Sequence, residues 1–434
     1  MLQKLVSYCV VLLTIALPIS VQAQKLDQTE TQIVRAVDQD LKRAISDLET
    51  SVNINSGTMN FAGVKSVADH YIPLLEELGF DAKFTNDGPS FDRAGHLVAS
   101  YGTKGPKILM IGHLDTVFAK DDAFQKYTDL GNGMVAGPGI TDMKGGNVII
   151  IAVARALKKA GVLDNVQLRI VMTGDEERSG KPLSASKKAL VDAAKWADIA
   201  LGFEDGDSNI KTAVVSRRGS VDWTLNVTGT PAHSSQIFQP EFGYGAVFEA
   251  ARILNEFREK LSGEHNLTFN PGLILGGTRL DYDAQTASGS AFGKNNVISQ
   301  TLQVTGGIRA VSPEQLAMAQ QVMQDITANN LAGTSATLTF GDGYPPMAPT
   351  EGNHQLLKWY SDVSEDLGFG SVAAVNPRNA GAADISFAAD HVEMALDGLG
   401  LMGSGGHTVD EMADMSSFDK NIKKAAVLIY RLQK

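Results

Sequence analysis

The chain is nearly without cysteine. One thiol, Cys9, occurs in 434 residues, and it falls inside an apolar run at the amino end. Lys4 is followed by Leu5 to Ile19 and then by Val21-Gln22-Ala23. A basic start, an apolar stretch and a small-x-small ending read as a secretory signal peptide over residues 1–23, cleaved after Ala23. The shortness of the stretch and Pro18 argue against an uncleaved anchor. Cys9 is not placed like the cysteine of a lipoprotein cleavage site. The mature chain then has no thiol, which excludes disulfides, thiolate ligands and cysteine nucleophiles. No second run is apolar enough to suggest a membrane span, so the expected location is periplasmic or secreted. Positive charge is scarce too: 38 Lys and Arg face 49 Asp and Glu, and loss of Lys4 moves the formal charge from −11 to −12. An acidic surface disfavours nucleic acid as a partner. No Gly-x-Gly-x-x-Gly follows the first strands, which argues against a dinucleotide enzyme. Repeats and low-complexity tracts are absent as well.

The organising stretch is Ile108-Leu109-Met110-Ile111-Gly112-His113-Leu114-Asp115-Thr116. Four apolar residues ended by glycine read as a buried strand of a parallel sheet. Ligands bind at the carboxyl ends of such strands. His113 is placed there to hold something, and Asp115 to accept the proton of its other ring nitrogen, as beside a metal-bound imidazole. The plain alternative is a polar strand end with an incidental histidine. Further on come Gly139-Ile140-Thr141-Asp142, Thr173-Gly174-Asp175-Glu176-Glu177, Phe203-Glu204-Asp205 and Gly405-Gly406-His407. Each sits at a strand end or in a glycine-rich loop. Two histidines with several carboxylates suit a borderline divalent cation such as zinc.

The order His-x-Asp, Asp, Glu-Glu, Glu, His resembles the glutamate carboxypeptidase and aminoacylase family of di-zinc metallopeptidases and deacylases, from about Asn53 to the carboxyl end. The resemblance implies two Zn2+ per chain, which together can clamp the attacking and leaving oxygens of a hydrolysis. It implies that Asp142 bridges them, with His113 and Glu204 on one metal and Glu177 and His407 on the other. Glu204 is preferred to Asp205 because it fits the Phe-Glu pattern. Glu176 becomes the general base. His233, in Gly229-Thr230-Pro231-Ala232-His233, is expected to reach the opposite subunit and polarise the scissile carbonyl. Asn296 and Arg309 are expected to hold a substrate carboxylate. Glutamate-preferring members carry a basic residue just before a proline where this chain has Tyr344-Pro345; Arg378 is the candidate to compensate. Lys144, Arg217, Arg218, His265 and His391 receive no role and are expected to face solvent.

Strands alternating with helices predict a doubly wound α/β catalytic domain. From about Ser216 the order becomes β-α-β-β-α-β, a ferredoxin-like unit. The expected division is a catalytic domain over 24–215 and 341–434, interrupted by a dimerisation module over 216–340. The expected activity is hydrolysis of an amide beside a free carboxylate, of carboxypeptidase type, on a small peptide. An aminoacylase acting on an N-acyl amino acid is the rival. A binding protein with the same fold is a third reading, and Glu176 argues against it, since binding alone needs no base beside a full ligand set.

Overall fold

The apolar run before His113 forms the strand Lys107–His113 in a computed structural model that describes residues 26–434 apart from residue 285. The expected signal peptide and Cys9 lie outside the described residues. Side chains alternate across the strand. Ile108 and Met110 enter one apolar core, and Leu109 and Ile111 enter another on the opposite face. Both faces are covered by helices, which is why the run has no polar residue before its end. The neighbouring strand Gln167–Thr173 repeats the pattern, with Ile170 in the first core and Val171 in the second.

Six strands make this main sheet, in the spatial order 81–84, 97–101, 167–173, 107–113, 199–202, 394–396. The last four are parallel, and the first two form an antiparallel edge. The register pairs His113 with Thr173 and Ile111 with Gly202. The carboxyl ends of three parallel strands therefore coincide, and Asp115, Glu176 and Glu204 leave the sheet within a few residues of that line.

The helix expected after Asp142 runs over Gly145–Lys159 and is buried along nearly its whole length. Its glycines crowd something other than the Asp142 side chain. A Cβ at Gly146 would lie 1.9 Å from the Phe203 carbonyl oxygen, and one at Gly145 would lie 2.5 Å from the Ile140 carbonyl oxygen. The helix start is thus pressed against the strand end that carries Glu204.

The second sheet holds Thr268–Gly277, Thr301–Arg309, Val221–Gly229 and Thr334–Phe340 in that spatial order, all antiparallel. With the helices Gly245–Leu261 and Pro313–Ala328 it has its own core, built on Trp223, Leu225, Phe257 and Met323. This is the ferredoxin-like order, and it carries one addition: a hairpin, Arg279–Asp283 paired with Ser288–Phe292. A small third sheet pairs Gly403–Ser404, Met412–Asp414 and Met134–Ala136, and the His407 loop spans its first two strands. No described helix is long and apolar enough to cross a membrane.

Gly146→Ala tests the contact between helix start and strand end. With the Phe203 main chain on one side of the missing Cβ and the end of the Met143 side chain on the other, the expected cost is about 1–3 kcal/mol, read as a lower urea midpoint. An unchanged midpoint would mean that the helix start can move away from Phe203 freely.

Candidate metal centre

Asp142 stands at the middle of the cleft. It lies in the turn Ile140–Lys144, where the Asp142–Met143 peptide is cis and Gly139 has φ 71°. One carboxylate oxygen, Oδ1, is 2.9 Å from His113 Nε2, and the other, Oδ2, is 2.8 Å from His407 Nε2. Glu204 Oε1 approaches His113 Nε2 to 3.6 Å, and Glu177 Oε2 approaches His407 Nε2 to 3.2 Å. Two donor groups result, His113–Asp142–Glu204 and Asp142–Glu177–His407, each with its donor atoms within 4.8 Å of one another. They share Asp142. Asp205 belongs to neither group.

Three buried acids hold the turns that carry these side chains, each by accepting main-chain N–H groups. Asp115 takes those of Glu176 at 3.0 Å and Glu177 at 3.2 Å, and also the Thr58 hydroxyl at 2.6 Å. Glu411 takes those of Gly139, Thr141 and Asp142 at 2.8, 2.9 and 3.2 Å. Asp397 takes that of Glu204 at 3.3 Å. The expectation for Asp115 changes in one respect. His113 Nδ1 is 2.9 Å from the Asp115 carbonyl oxygen and 3.5 Å from its carboxylate. The imidazole is fixed by main chain, because the carboxylate is occupied by the Glu176 turn.

The electrostatics show a surplus of negative charge. Burial pushes Glu177 up to about 7, assisted by Asp142 and opposed by His407. Burial also raises Glu204 and Glu176 well above the carboxylate range, with Asp142 adding to it. Hydrogen bonds to Asp142 and Glu177 push His407 up to about 11. Asp142 itself is held low by His113 and His407 despite burial. Glu177 Oε1 is buried without a hydrogen-bond partner. An orphaned carboxylate oxygen within mixed imidazole and carboxylate donors fits a divalent cation of the zinc type.

The remaining expected residues lie elsewhere. His233 is exposed, and its Nδ1 is 2.9 Å from Ser235 Oγ within the second sheet's own domain. The Asn296 carbonyl accepts the Ser234 N–H at 2.9 Å, so these two stand together. Arg309 ends its strand and is exposed, as is Arg378. Both add positive charge to Arg218, whose pKa burial and these two arginines lower. Two residues expected to face solvent do not. Arg217 is buried, with Nε 2.7 Å from Asp397 Oδ2. Lys144 is buried, donates to the Ile54 carbonyl at 2.8 Å and is pushed down to about 7 by burial. Lone charged residues give no sequence signal of such partners. Glu411 and Asp397 were missed for the same reason, although Asp397 directly follows the strand Met394–Leu396 and shares its strand-end position with Glu204.

Fold and site together define a metal-dependent α/β hydrolase. Residues 109–432 match the family described as Peptidase family M20/M25/M40, and the chain belongs to it. Among curated proteins it is similar to carboxypeptidase G2 of Pseudomonas sp. (strain RS-16), 24% identical over 94% of this chain and 93% of that one. A shorter match, 32% identical over 37% of this chain and 41% of the other, is to succinyl-diaminopimelate desuccinylase of Maricaulis maris (strain MCS10). Among solved structures, aminopeptidase PepT from Bacillus cereus superposes with TM-score 0.69 at 18% identity, covering 91% of this chain and 99% of that one. An M20 family metallo-carboxypeptidase from Sulfolobus solfataricus gives TM-score 0.60 at 13% identity, with coverages of 94% and 100%.

Asp115→Asn tests the outer support. Glu176 and Glu177 donate to different oxygens of the Asp115 carboxylate, so an amide turns a donor toward one of the two N–H groups. Loss of an outer partner of this kind typically costs about 10–100-fold in metal affinity, measurable by competition with a chelator. Wild-type affinity in the variant would separate the turn's anchoring from metal binding.

Proposed function

We propose that this chain is an exopeptidase of carboxypeptidase type that cleaves an amide beside a free carboxylate and uses two zinc ions. The observation that carries the reading is the shared Asp142 carboxylate, with a histidine and a glutamate beyond each oxygen. On this reading His113, Asp142 and Glu204 hold one ion, and Asp142, Glu177 and His407 hold the other. Two such ions supply Lewis-acid polarisation of the carbonyl and lower the pKa of the attacking water.

The residues of the chain do the rest. Glu176 takes a proton from the attacking water and delivers it to the leaving nitrogen. Burial raises its pKa above the ordinary carboxylate value, the direction that favours a carboxylate acting as a base. Asn296 and Arg309 bind the substrate's free carboxylate, and Arg378 extends the cationic surface around Arg218. With Tyr344 where glutamate-preferring relatives carry a basic residue, the reading makes no commitment to a terminal glutamate. His233 polarises the scissile carbonyl from a second copy of the chain. In support, Phe238, five residues past His233, and Phe248 are 57% and 51% exposed with ring centroids 5.6 Å apart, an apolar patch of the kind a subunit contact covers. The dimerisation module is 216–340, between catalytic segments 24–215 and 341–434. The leader, 1–23, directs the protein to the periplasm or outside the cell. The second reading, an N-acyl amino acid amidohydrolase, draws on the desuccinylase similarity and needs only a different acyl pocket.

Adjacent glutamates give opposite signatures. Glu176→Gln should lose about 10²–10⁴ in rate with metal content near wild type. Glu177→Gln should become metal-poor, because a neutral amide is a weak ligand. Elemental analysis with kcat on the same samples decides this, and the reverse pattern would exchange the two roles. A panel of free dipeptides and N-acyl amino acids, assayed on the wild-type enzyme, separates peptidase from amidohydrolase.

The trans role of His233 predicts complementation. His233→Ala and Glu176→Gln chains should each be slow, and mixing them should restore activity, since one site of each heterodimer is then intact. Verified subunit exchange without recovery would place His233 outside the reaction of the partner subunit.

A further inference from the structure

The chain crosses between its two sheets twice, and the two crossings are paired. Arg217 exchanges main-chain hydrogen bonds with Met347 at 3.0 and 2.9 Å, and Ser220 with Tyr344 at 2.9 and 3.0 Å. Tyr344 therefore sits on the returning crossing, held by its main chain. Its side chain turns into the catalytic cleft. The phenol oxygen lies 3.0 Å from the Glu176 carbonyl oxygen, 2.9 Å from Ser179 Oγ and 3.3 Å from Asp384 Oδ1. The phenol donates to the Glu176 carbonyl, with the Asp384 carboxylate as a longer second acceptor and the Ser179 hydroxyl as its third partner. The ring packs edge-on against Phe387, with centroids 4.8 Å apart. Lys187 Nζ stands 5.4 Å from the ring centroid and bridges the buried acids Asp175 and Asp384 at 3.2 and 3.0 Å. Asp175 in turn accepts the Gly180 N–H at 2.8 Å.

The Glu176 peptide is thus gripped from both ends. Asp115 holds its N–H, from the strand end that also carries His113, and Tyr344 holds its carbonyl, from the crossing. The bonds of the turn to Asp115 and Asp175 can form without Tyr344.

We propose that Tyr344 is a positioning residue that ties the crossing between the two domains to the Glu176 turn and fixes the carboxylate of Glu176 for proton transfer. The proposal rests on the reading of Glu176 as the general base. On this proposal Tyr344 acts through Glu176, so its effect belongs in kcat and should disappear when Glu176 can no longer act.

The test is a double-mutant cycle on the metal-loaded enzyme with a dipeptide substrate. Tyr344→Phe keeps the ring, its contact with Phe387 and its position over Lys187, and removes only the hydroxyl. Loss of the phenol's hydrogen bonds, the one to the Glu176 carbonyl included, should lower kcat by about tenfold, with KM and metal content close to wild type. Ser179→Ala removes the phenol's other hydroxyl partner while leaving the Glu176 bond, and should keep kcat near wild type. In Glu176→Gln enzyme, adding Tyr344→Phe should change the residual rate little, because the two residues act as one unit. If Glu176→Gln is slow and Tyr344→Phe is as fast as wild type, the positioning role is refuted while the general-base reading stands. If Glu176→Gln itself is fully active, the general-base reading falls, and the proposal with it. If Tyr344→Phe costs the same factor in both backgrounds, the hydroxyl acts independently of Glu176, and the proposal is overturned. Equal losses from Ser179→Ala and Tyr344→Phe would assign the effect to general loosening of the turn and overturn it too.

Discussion

Four carboxylates and two imidazoles share one cleft in this protein, and holding them together against their own charge is the constraint that the surrounding structure meets. Side chains that repel one another cannot be positioned by mutual contact. They are positioned through their backbones instead. Asp115, Glu411 and Asp397 each accept N–H groups from a turn that bears one of the cluster's acids. This solution puts further negative charge behind the first, and that charge also needs partners. Arg217 answers Asp397, and Lys187 answers Asp175 and Asp384 behind the Glu176 turn. Buried charges of this kind persist only when paired and hydrogen-bonded.

Topology explains why the acids meet at all. Three parallel strands end in register, and each is followed by a short turn that projects one or two acids past the sheet. Asp142 arrives from a different direction, on the turn that opens the long buried helix. That helix is pressed onto the Phe203 carbonyl at Gly146, where there is no room for a Cβ. The spacing between Asp142 and Glu204 is therefore a consequence of helix-on-sheet packing. His407 comes from a loop of the small third sheet, with φ 62° at the residue itself. It is the one member of the cluster whose side chain is more than half exposed, at 57%.

What could be read from sequence divides along physical lines. The His113 strand was legible because burial on both faces leaves an unbroken apolar run. The five motifs were legible because strand ends and glycine turns mark where a ligand can be approached. The ferredoxin-like order showed in alternating strands such as Val221-Asp222-Trp223-Thr224-Leu225. The hairpin Arg279–Asp283 with Ser288–Phe292 was not legible, since it is largely exposed: Leu280 and Tyr282 alternate with polar residues over only five positions, and the partner strand has no buried face. Glu411, Asp397, Arg217 and Lys144 were invisible for a different reason. A charged residue alone reads as solvated, and only the fold shows that its partners wait far along the chain. For Arg217 and Asp397 the separation is 180 residues.

That last pair shows how the inserted sheet is fastened. Burying an arginine and an aspartate costs several kcal/mol per ion before their attraction is counted, so stability alone is a poor reason to keep them. Their bonds point to geometry. Asp397 accepts the Glu204 N–H and the Gly398 N–H, while Arg217 also donates to the Gly381 carbonyl at 2.9 Å. Arg217 lies on the outgoing crossing, as Tyr344 lies on the returning one, and the two crossings are joined by main-chain bonds. The outgoing crossing is thereby linked to the turn of Glu204, and the returning crossing to the turn of Glu176. Because the two crossings are joined by main-chain bonds, a rotation of the second sheet that bent them would strain both turns together. Arrangement of the inserted domain and arrangement of the acids are in this way parts of one hydrogen-bonded structure.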